Sequence, residues 1–144
     1  MPQPILFIDD EPHYAMPYIE ALQKAGFEVI LHEDAEGGLK YLRANASALG
    51  LVILDYMMPT PKGVSPADTL DGFATGRWLL REGRDLIEGC ELPVIVLTNR
   101  KVETVQIEIG EFTLMPMGQL IRVRHKTHTH RNRLAGIVRQ ILDG

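Results

Sequence analysis

The sequence predicts a protein of the α/β class, with a parallel sheet flanked by helices. Short apolar runs recur along the chain, and those at residues 5–8 and 51–54 are uninterrupted. Uninterrupted runs of this length, bounded by turn signals, are typical of strands buried on both faces of a parallel sheet. Segments with helical spacing of apolar residues lie between the runs, and this alternation favours right-handed βαβ units.

The composition fits one ordinary globular domain, which we expect to cover residues 1–144. Hydrophobic residues make up 45% of the chain and charged residues 24%, and the formal net charge of -4 argues against direct binding of nucleic acid. Cys90 is the one cysteine, so the chain cannot form an intramolecular disulfide. Neither a signal peptide nor an apolar stretch of the roughly 20 residues that span a bilayer is present in the sequence, so we expect a cytoplasmic protein without membrane contact.

The first half of the chain predicts a strand, a helix, a second strand, a second helix and a third strand. Pro17 is expected in the first turn of the first helix, where its missing N–H costs nothing, and Gly26 directly after the end of that helix. Residues 27–31 are expected to form the second strand, and Asp34 to cap the second helix. Residues 51–54 then form the third strand.

An irregular segment follows the third strand. Residues 60–69 are rich in Pro, Gly and hydroxyl side chains, which predicts a long surface loop beside Asp55. A helix is expected over roughly residues 70–85. Its inner face is expected to include Phe73, either Leu79 or Leu80, and Trp78.

The rest of the chain predicts two strands and two helices. Residues 92–99 place a proline at the start of an aliphatic run that ends in a polar pair. Residues 101–117 fit either a helix or a strand, and we favour a short or irregular helix. Residues 120–126 alternate apolar and basic side chains, as in an edge strand exposed on one side, and residues 134–142 give an amphipathic closing helix.

Polar side chains follow four of the predicted strands where each strand ends. Asp9-Asp10, Asp55 and Thr98 end three strands, and Lys126 ends the edge strand. Because parallel strands end on the same sheet edge, we expect these side chains to gather there. Carboxylates brought together repel one another and their pKa values rise, unless a divalent cation such as Mg²⁺ compensates.

This set of residues suits phosphoryl transfer. The hydroxyl of Thr98 and the ammonium of Lys126 can bind phosphoryl oxygens, and Asp55 can act as the nucleophile that forms an aspartyl phosphate. Each residue alone has an ordinary explanation, because an Asp after a strand is usually a turn or helix cap, and a Lys on an edge strand is usually solvated. The hypothesis depends on all of them occurring together in the expected order.

Four parts of the chain together resemble the receiver domain of two-component response regulators. They are residues 5–12 (ILFIDDEP), residues 51–59 (LVILDYMMP), residues 94–98 (VIVLT) and Lys126. The resemblance extends over essentially the whole chain. It implies a flavodoxin-like, doubly wound fold with a five-stranded parallel sheet of order 2-1-3-4-5 and flanking helices.

The resemblance also implies a function and a set of roles. Asp55 is then the phosphoacceptor, charged by a sensor histidine kinase or a histidine phosphotransfer protein, and Thr98 and Lys126 contact the phosphoryl group. Mg²⁺ is held by Asp10, Asp55 and the backbone carbonyl of Met57, with Asp9 acting through water. Such a domain is not an enzyme beyond its own phosphorylation and dephosphorylation. It signals by altered contacts with a downstream protein target, and a homodimer stays an open possibility.

Several positions differ from the usual receiver pattern. Thr127 follows the lysine where a cis proline is usual, Val123 stands where a switch aromatic is usual, Asn99 replaces a small residue, and residues 60–69 are inserted. These differences leave open an atypical receiver that binds partners independently of phosphorylation. A phosphatase with an Asp nucleophile is a further alternative, but the first strand lacks the Asp-x-Asp pattern that such enzymes need.

Overall fold

Five parallel strands form the centre of the computed structural model, which describes residues 3–113 and 120–143. The strands are β1 (Ile5–Ile8), β2 (Val29–His32), β3 (Leu51–Asp55), β4 (Val94–Thr98) and β5 (Ile121–His125). Their order across the sheet is β2-β1-β3-β4-β5, and every neighbouring pair is parallel. The predicted α/β class and the strand order 2-1-3-4-5 are therefore confirmed.

Helices cover both faces of this sheet. Within the described residues they are α1 (Pro12–Lys24), α2 (Ala35–Asn45), α3 (Pro66–Thr69), α4 (Thr75–Glu82), α5 (Arg84–Gly89), α6 (Val102–Thr113) and α7 (Arg131–Asp143). The buried side chains of α1 and α7 pack with one face of the sheet, and those of α2, α4, α5 and α6 pack with the other. None of these helices combines the length and apolarity that crossing a membrane requires.

The side chains of β1 show why its apolar run forms a central strand. Successive side chains of a strand point to opposite faces of the sheet. Ile5 and Phe7 accordingly join the core under α1 and α7, while Leu6 and Ile8 join the core on the opposite face. All four side chains are completely buried, and the burial of each one stabilises the fold by roughly 1.5–3 kcal/mol relative to exposure to water.

The strand register brings the predicted site residues to one edge of the sheet. The pairs that fix this edge are Ile8 with Leu54, Asp55 with Leu97, and Thr98 with His125. Asp9, which follows β1, therefore lies level with Asp55, and Lys126 follows β5 directly after the partner of Thr98. The sheet topology therefore brings these strand ends together, as expected.

Local signals in the first half of the chain were correct except at Pro17 and in the second strand. Gly26 has a φ of 97° directly after α1, and Asp34 accepts a hydrogen bond from the N–H of Gly37, as a helix cap does. Pro17, expected in the first turn, lies inside α1, because the helix already begins at Pro12. The second strand occupies Val29–His32 rather than residues 27–31.

The single helix expected over residues 70–85 is wrong. The loop ends in the short helix α3, and Leu70, Asp71 and Gly72 then have φ values of 50°, 55° and 92°, which no helix can accommodate. Helix α4 begins only at Thr75, and Gly83 separates it from α5. The prediction that Phe73 packs inward is also wrong, because 59% of its surface is exposed.

The remaining elements agree with the sequence. Residues 102–113 are helical, and residues 114–119 of the ambiguous segment lie outside the described part of the chain. The edge strand is β5, whose neighbour in the sheet is β4. The closing helix is α7, and it buries Leu134 and Val138.

Candidate functional site

Asp55 and Lys126 form the centre of the candidate site. Asp55 is the last residue of β3 and is almost completely buried, and the Lys126 Nζ lies 3.1 Å from its Oδ1. Burial, followed by repulsion from Asp9, raises the pKa of Asp55 to about 7, although the Lys126 ammonium acts in the opposite direction. Burial works to lower the pKa of Lys126, but attraction and a hydrogen bond to Asp55, together with attraction by Asp9 and Glu11, raise that pKa above its ordinary value. The two side chains thus form an ion pair at the edge of the sheet.

Two further carboxylates lie beside Asp55. Oxygens of Asp9, Asp10 and Asp55 all lie within 4.8 Å of one another. Asp9 is buried, its Oδ1 accepts a 2.9 Å hydrogen bond from the N–H of Glu11, and burial raises its pKa. Hard divalent cations take carboxylate and carbonyl oxygens as ligands, so this cluster can hold such an ion. Met57 and Asp10 line the same cavity of about 240 Å³, which places Met57 beside the cluster.

Thr98 ends β4 one residue beyond the partner of Asp55. Its side chain is completely buried, and its Oγ1 accepts a 2.9 Å hydrogen bond from the backbone N–H of Arg100. The hydroxyl proton is not used in that bond, since the oxygen acts there as the acceptor. Thr98 can therefore donate a hydrogen bond to another group at this edge of the sheet.

His125 supports the turn that carries Lys126. Its Nδ1 accepts a hydrogen bond from the N–H of Thr127, and its Nε2 lies 3.1 Å from the carbonyl oxygen of Asn99. A carbonyl oxygen only accepts hydrogen bonds, so Nε2 is the donor in this contact. The two contacts together correspond to the tautomer that carries its proton on Nε2. The peptide bond between Lys126 and Thr127 is trans, and the lysine still reaches Asp55. No pattern in the sequence indicates this role of His125.

Tyr56, Arg100 and Glu108 form a second group of contacts that the sequence analysis missed. Both Nη atoms of Arg100 donate to the Glu108 carboxylate at 2.7 Å. The Tyr56 hydroxyl donates to the same carboxylate at 2.9 Å, and the Arg100 Cζ lies 5.9 Å from the centre of the Tyr56 ring. Only the position of Tyr56, directly after Asp55, was a signal in the sequence.

The inserted loop contacts helix α2, and residues on either side of it line the cavity beside Asp10. The hydroxyls of Thr60 and Thr69 lie 2.7 Å apart, and the N–H of Lys62 donates to Glu36 of α2. Pro59 and Asp71, which flank the loop, line the cavity at Asp10.

Comparison with known proteins decides the fold family. No family model and no curated protein matches the chain. A response regulator receiver protein from Sinorhizobium medicae WSM419 is 20% identical with a TM-score of 0.71, over 99% of this chain and 96% of that one. A receiver domain protein from Clostridium thermocellum is 21% identical with a TM-score of 0.68, over 98% and 94%. The fold is that of a response regulator receiver domain.

The receiver fold covers nearly the whole chain in each comparison. The receiver domain of the hybrid histidine kinase CckA is 24% identical with a TM-score of 0.65, over 96% of this chain and 97% of that one. Within this receiver fold, the position where an aromatic residue is usual holds Val123, which is buried. Asn99, next to Thr98, is exposed.

Proposed function

We propose that this chain is a phosphoacceptor signalling domain of a two-component phosphorelay, phosphorylated on Asp55 in a Mg²⁺-dependent way. One observation carries the proposal. The carboxylate of Asp55 has an ammonium 3.1 Å away and two further carboxylates within 4.8 Å, all at the carboxyl edge of a parallel sheet. A buried acid with these neighbours is suited to receive and stabilise a transferred phosphoryl group.

The proposed reaction uses Asp55 as the nucleophile. Its carboxylate oxygen forms a bond to phosphorus as the bond from phosphorus to the histidine nitrogen of the donor breaks, and the released imidazole takes up a proton from solvent. The Lys126 ammonium offsets charge on the phosphoryl oxygens, and the Thr98 hydroxyl donates a hydrogen bond to one of them.

The carboxylate cluster is the proposed Mg²⁺ site. Asp10, Asp55 and the backbone carbonyl of Met57 would hold the ion, and Asp9 would act through water. When bound, Mg²⁺ supplies positive charge that offsets the transferring group. A cation beside Asp55 also favours its ionised form, which matters because the metal-free pKa is about 7.

The proposed partners follow from the similarity to receiver domains. The phosphodonor is a sensor histidine kinase or a histidine phosphotransfer protein in the cytoplasm, and the output is a changed affinity for a downstream protein. A phosphoryl group on Asp55 carries about -1.5 to -2 charges in place of the single charge of the carboxylate, and this change can bias two packings of neighbouring segments. Catalysis on a separate substrate forms no part of the proposal.

Beryllofluoride, which mimics a phosphoryl group on a carboxylate, provides the test. With Mg²⁺ present, it should shift the amide NMR signals of Asp55 and its neighbours. Asp55→Asn should abolish the shifts, whereas Asp85→Asn, at an exposed aspartate of α5, should leave them unchanged. A wild-type protein whose spectrum does not respond would overturn the proposal.

The differences at Val123 and Thr127 favour one alternative, a binding module that works independently of phosphorylation. In that case a downstream partner would bind wild type and Asp55→Asn equally, with or without beryllofluoride. A pull-down with the partner under both conditions separates the two functions.

A further inference from the structure

The turn that carries Lys126 begins where the sheet ends. Thr98 and His125 are the last pair of β4 and β5, and a short 3-10 helix, Lys126–His128, follows directly. Lys126 therefore lies just beyond the hydrogen bonds of the sheet, and the direction of its backbone depends on the contacts of the turn itself. A lysine ammonium sits on a flexible four-carbon stem, so its position is defined only if the backbone beneath it is held.

His125 supplies two of the contacts that hold this turn. Its Nδ1 accepts a hydrogen bond at 3.1 Å from the N–H of Thr127, one residue beyond the lysine. Its Nε2 donates to the carbonyl oxygen of Asn99 at 3.1 Å. Because the imidazole is a rigid ring, one contact orients the other. The ring thus joins the loop after β4 to the turn after β5.

Tyr18 of α1 holds the other end of the same turn. Its hydroxyl donates to the carbonyl oxygen of Thr129 at 2.9 Å, and the N–H of Thr129 donates to the carbonyl oxygen of Lys126 at 3.3 Å. Thr129 is almost completely buried, and Tyr18 and Lys126 line one cavity of about 520 Å³ together with Asp9. The turn is therefore held from α1 at one end and by His125 at the other.

The contact between His125 and Thr127 requires an N–H at position 127. Proline has no N–H, so a chain with the usual receiver proline after its lysine cannot form this hydrogen bond. In this protein the Lys126 Nζ still lies 3.1 Å from the Oδ1 of Asp55. Hydrogen bonds from side chains, rather than a proline ring, therefore direct the turn here.

We propose that His125 and Tyr18 are positioning residues of the candidate site, which hold the Lys126 ammonium against Asp55. They act through the backbone of the turn and not by touching the phosphoryl group. The pairing of Lys126 with Asp55 does not depend on phosphorylation, whereas the consequence for phosphoryl binding rests on the proposed function. Loss of either anchor should let the ammonium leave Asp55 and should weaken the binding of a phosphoryl group there.

The first measurement follows the ammonium in the metal-free protein. The nitrogen NMR signal of the Lys126 Nζ is recorded in wild type, and Asp55→Asn gives the position of that signal when the ammonium has lost its partner. In His125→Ala and in Tyr18→Phe, which keeps the ring, the signal should move towards the position in Asp55→Asn. The control His128→Ala removes an imidazole of the same turn, whose ring centre lies 5.4 Å from that of His125, and should leave the signal in place.

A conservative variant, His125→Asn, separates the two contacts of His125. The Oδ1 of Asn occupies the place of the imidazole Nδ1, so it can accept from the N–H of Thr127, and Asn commonly forms this contact with the backbone two residues on. The shorter side chain does not reach the carbonyl oxygen of Asn99. If the Thr127 contact directs the turn, this variant should restore most of the wild-type position of the Lys126 signal.

The second measurement is the affinity for beryllofluoride in the presence of Mg²⁺, followed by the amide signals at residues 54–56. Each hydrogen bond removed from the turn should lower the affinity by about 2- to 10-fold, the usual net contribution of one such bond. His125→Ala removes two hydrogen bonds and should have the larger effect, and Tyr18→Phe removes one. His128→Ala should bind beryllofluoride as the wild type does.

The possible failures are distinguishable. If the Lys126 signal stays in place in His125→Ala, or if His125→Asn behaves like His125→Ala, this inference is wrong and the proposed function is unaffected. If the signal moves as expected but the wild type does not bind beryllofluoride, the proposed function is wrong and the positioning of Lys126 stands. Should His125→Ala fail to fold, Tyr18→Phe decides, and an unchanged Lys126 signal in that variant overturns the inference.

Discussion

Replacing Asp55 with Asn should stabilise the metal-free protein at alkaline pH, although it removes an ion pair. Burial, with repulsion from Asp9, raises the pKa of Asp55 from 3.8 to about 7 in the folded state. The folded state therefore binds a proton that the unfolded state releases, and wild-type stability falls as pH rises from about 4 to about 7. Above about pH 7 the wild type has lost this stability completely. The Asp55→Asn variant does not lose it, because the amide of Asn does not ionise.

The size of the effect follows from the same pKa. The rise from 3.8 to about 7 corresponds to about 4 kcal/mol, at 1.36 kcal/mol per pH unit, and this is an upper limit. The substitution leaves the Lys126 ammonium, whose side chain is 24% exposed, without its partner at 3.1 Å. The attraction between the two groups already contributes to the pKa of about 7, so it does not reduce the gain a second time. We expect a gain of up to about 4 kcal/mol at about pH 8, and none at about pH 4, where Asp55 is protonated in the wild type.

Urea denaturation in the presence of a chelator, repeated between about pH 4 and pH 8, measures this difference. The gap between Asp55→Asn and wild type should open through the window and then stay constant. Asp85→Asn, whose side chain is 96% exposed, should show no such pH dependence. A gap that does not change with pH, or a variant less stable than wild type at about pH 8, would refute the argument that burial dominates at Asp55.

Two further substitutions test other contacts of the site. Gly76→Ala should destabilise the fold by about 1–3 kcal/mol in urea denaturation, because the added Cβ would lie 2.8 Å from the Tyr56 ring and 3.0 Å from the Tyr56 Cα. In the control Gly136→Ala in α7, the added Cβ meets nothing within 4 Å and should stabilise the fold by up to about 1 kcal/mol. Lys126→Met should raise the pKa of Asp55 above about 7, measured by NMR titration of the carboxyl carbon, and an unchanged midpoint would show that the pair does not form in solution.

The fold could be predicted where its determinants are local. The apolar runs of the strands and the amphipathic spacing of α7 are properties of neighbouring residues, and the strand order followed from the resemblance. The segment at residues 70–72 could not be predicted, because it is held by a distant contact. Met58 donates to the carbonyl oxygen of Gly72, and Thr75 donates to the carbonyl oxygen of Met58. That pairing across the loop overrides the helical spacing that follows it.

The candidate site also contains residues that the sequence predicts and contacts that it does not. The sequence showed Asp9, Asp55 and Thr98 because parallel topology alone brings strand ends together. The contacts of Tyr56 and Arg100 with Glu108 depend on residues far apart in the chain, with Tyr56 and Glu108 separated by 52 positions, and on side-chain directions that no sequence pattern encodes. His125 was overlooked for a related reason, since its role depends on the position of Asn99 in another loop.

The charges at the site explain why phosphorylation of Asp55 should engage the Thr98 hydroxyl. Three carboxylates face one ammonium, which gives a net charge of about -2 when all are ionised, and a divalent cation brings this to about zero. A phosphoryl group on Asp55 replaces one negative charge by about two, so the site again has an excess that needs a hydrogen-bond donor. Thr98 has a hydroxyl proton that its contact with Arg100 does not use, because its oxygen is the acceptor there. Its hydroxyl and the Lys126 ammonium should therefore both donate to the phosphoryl oxygens.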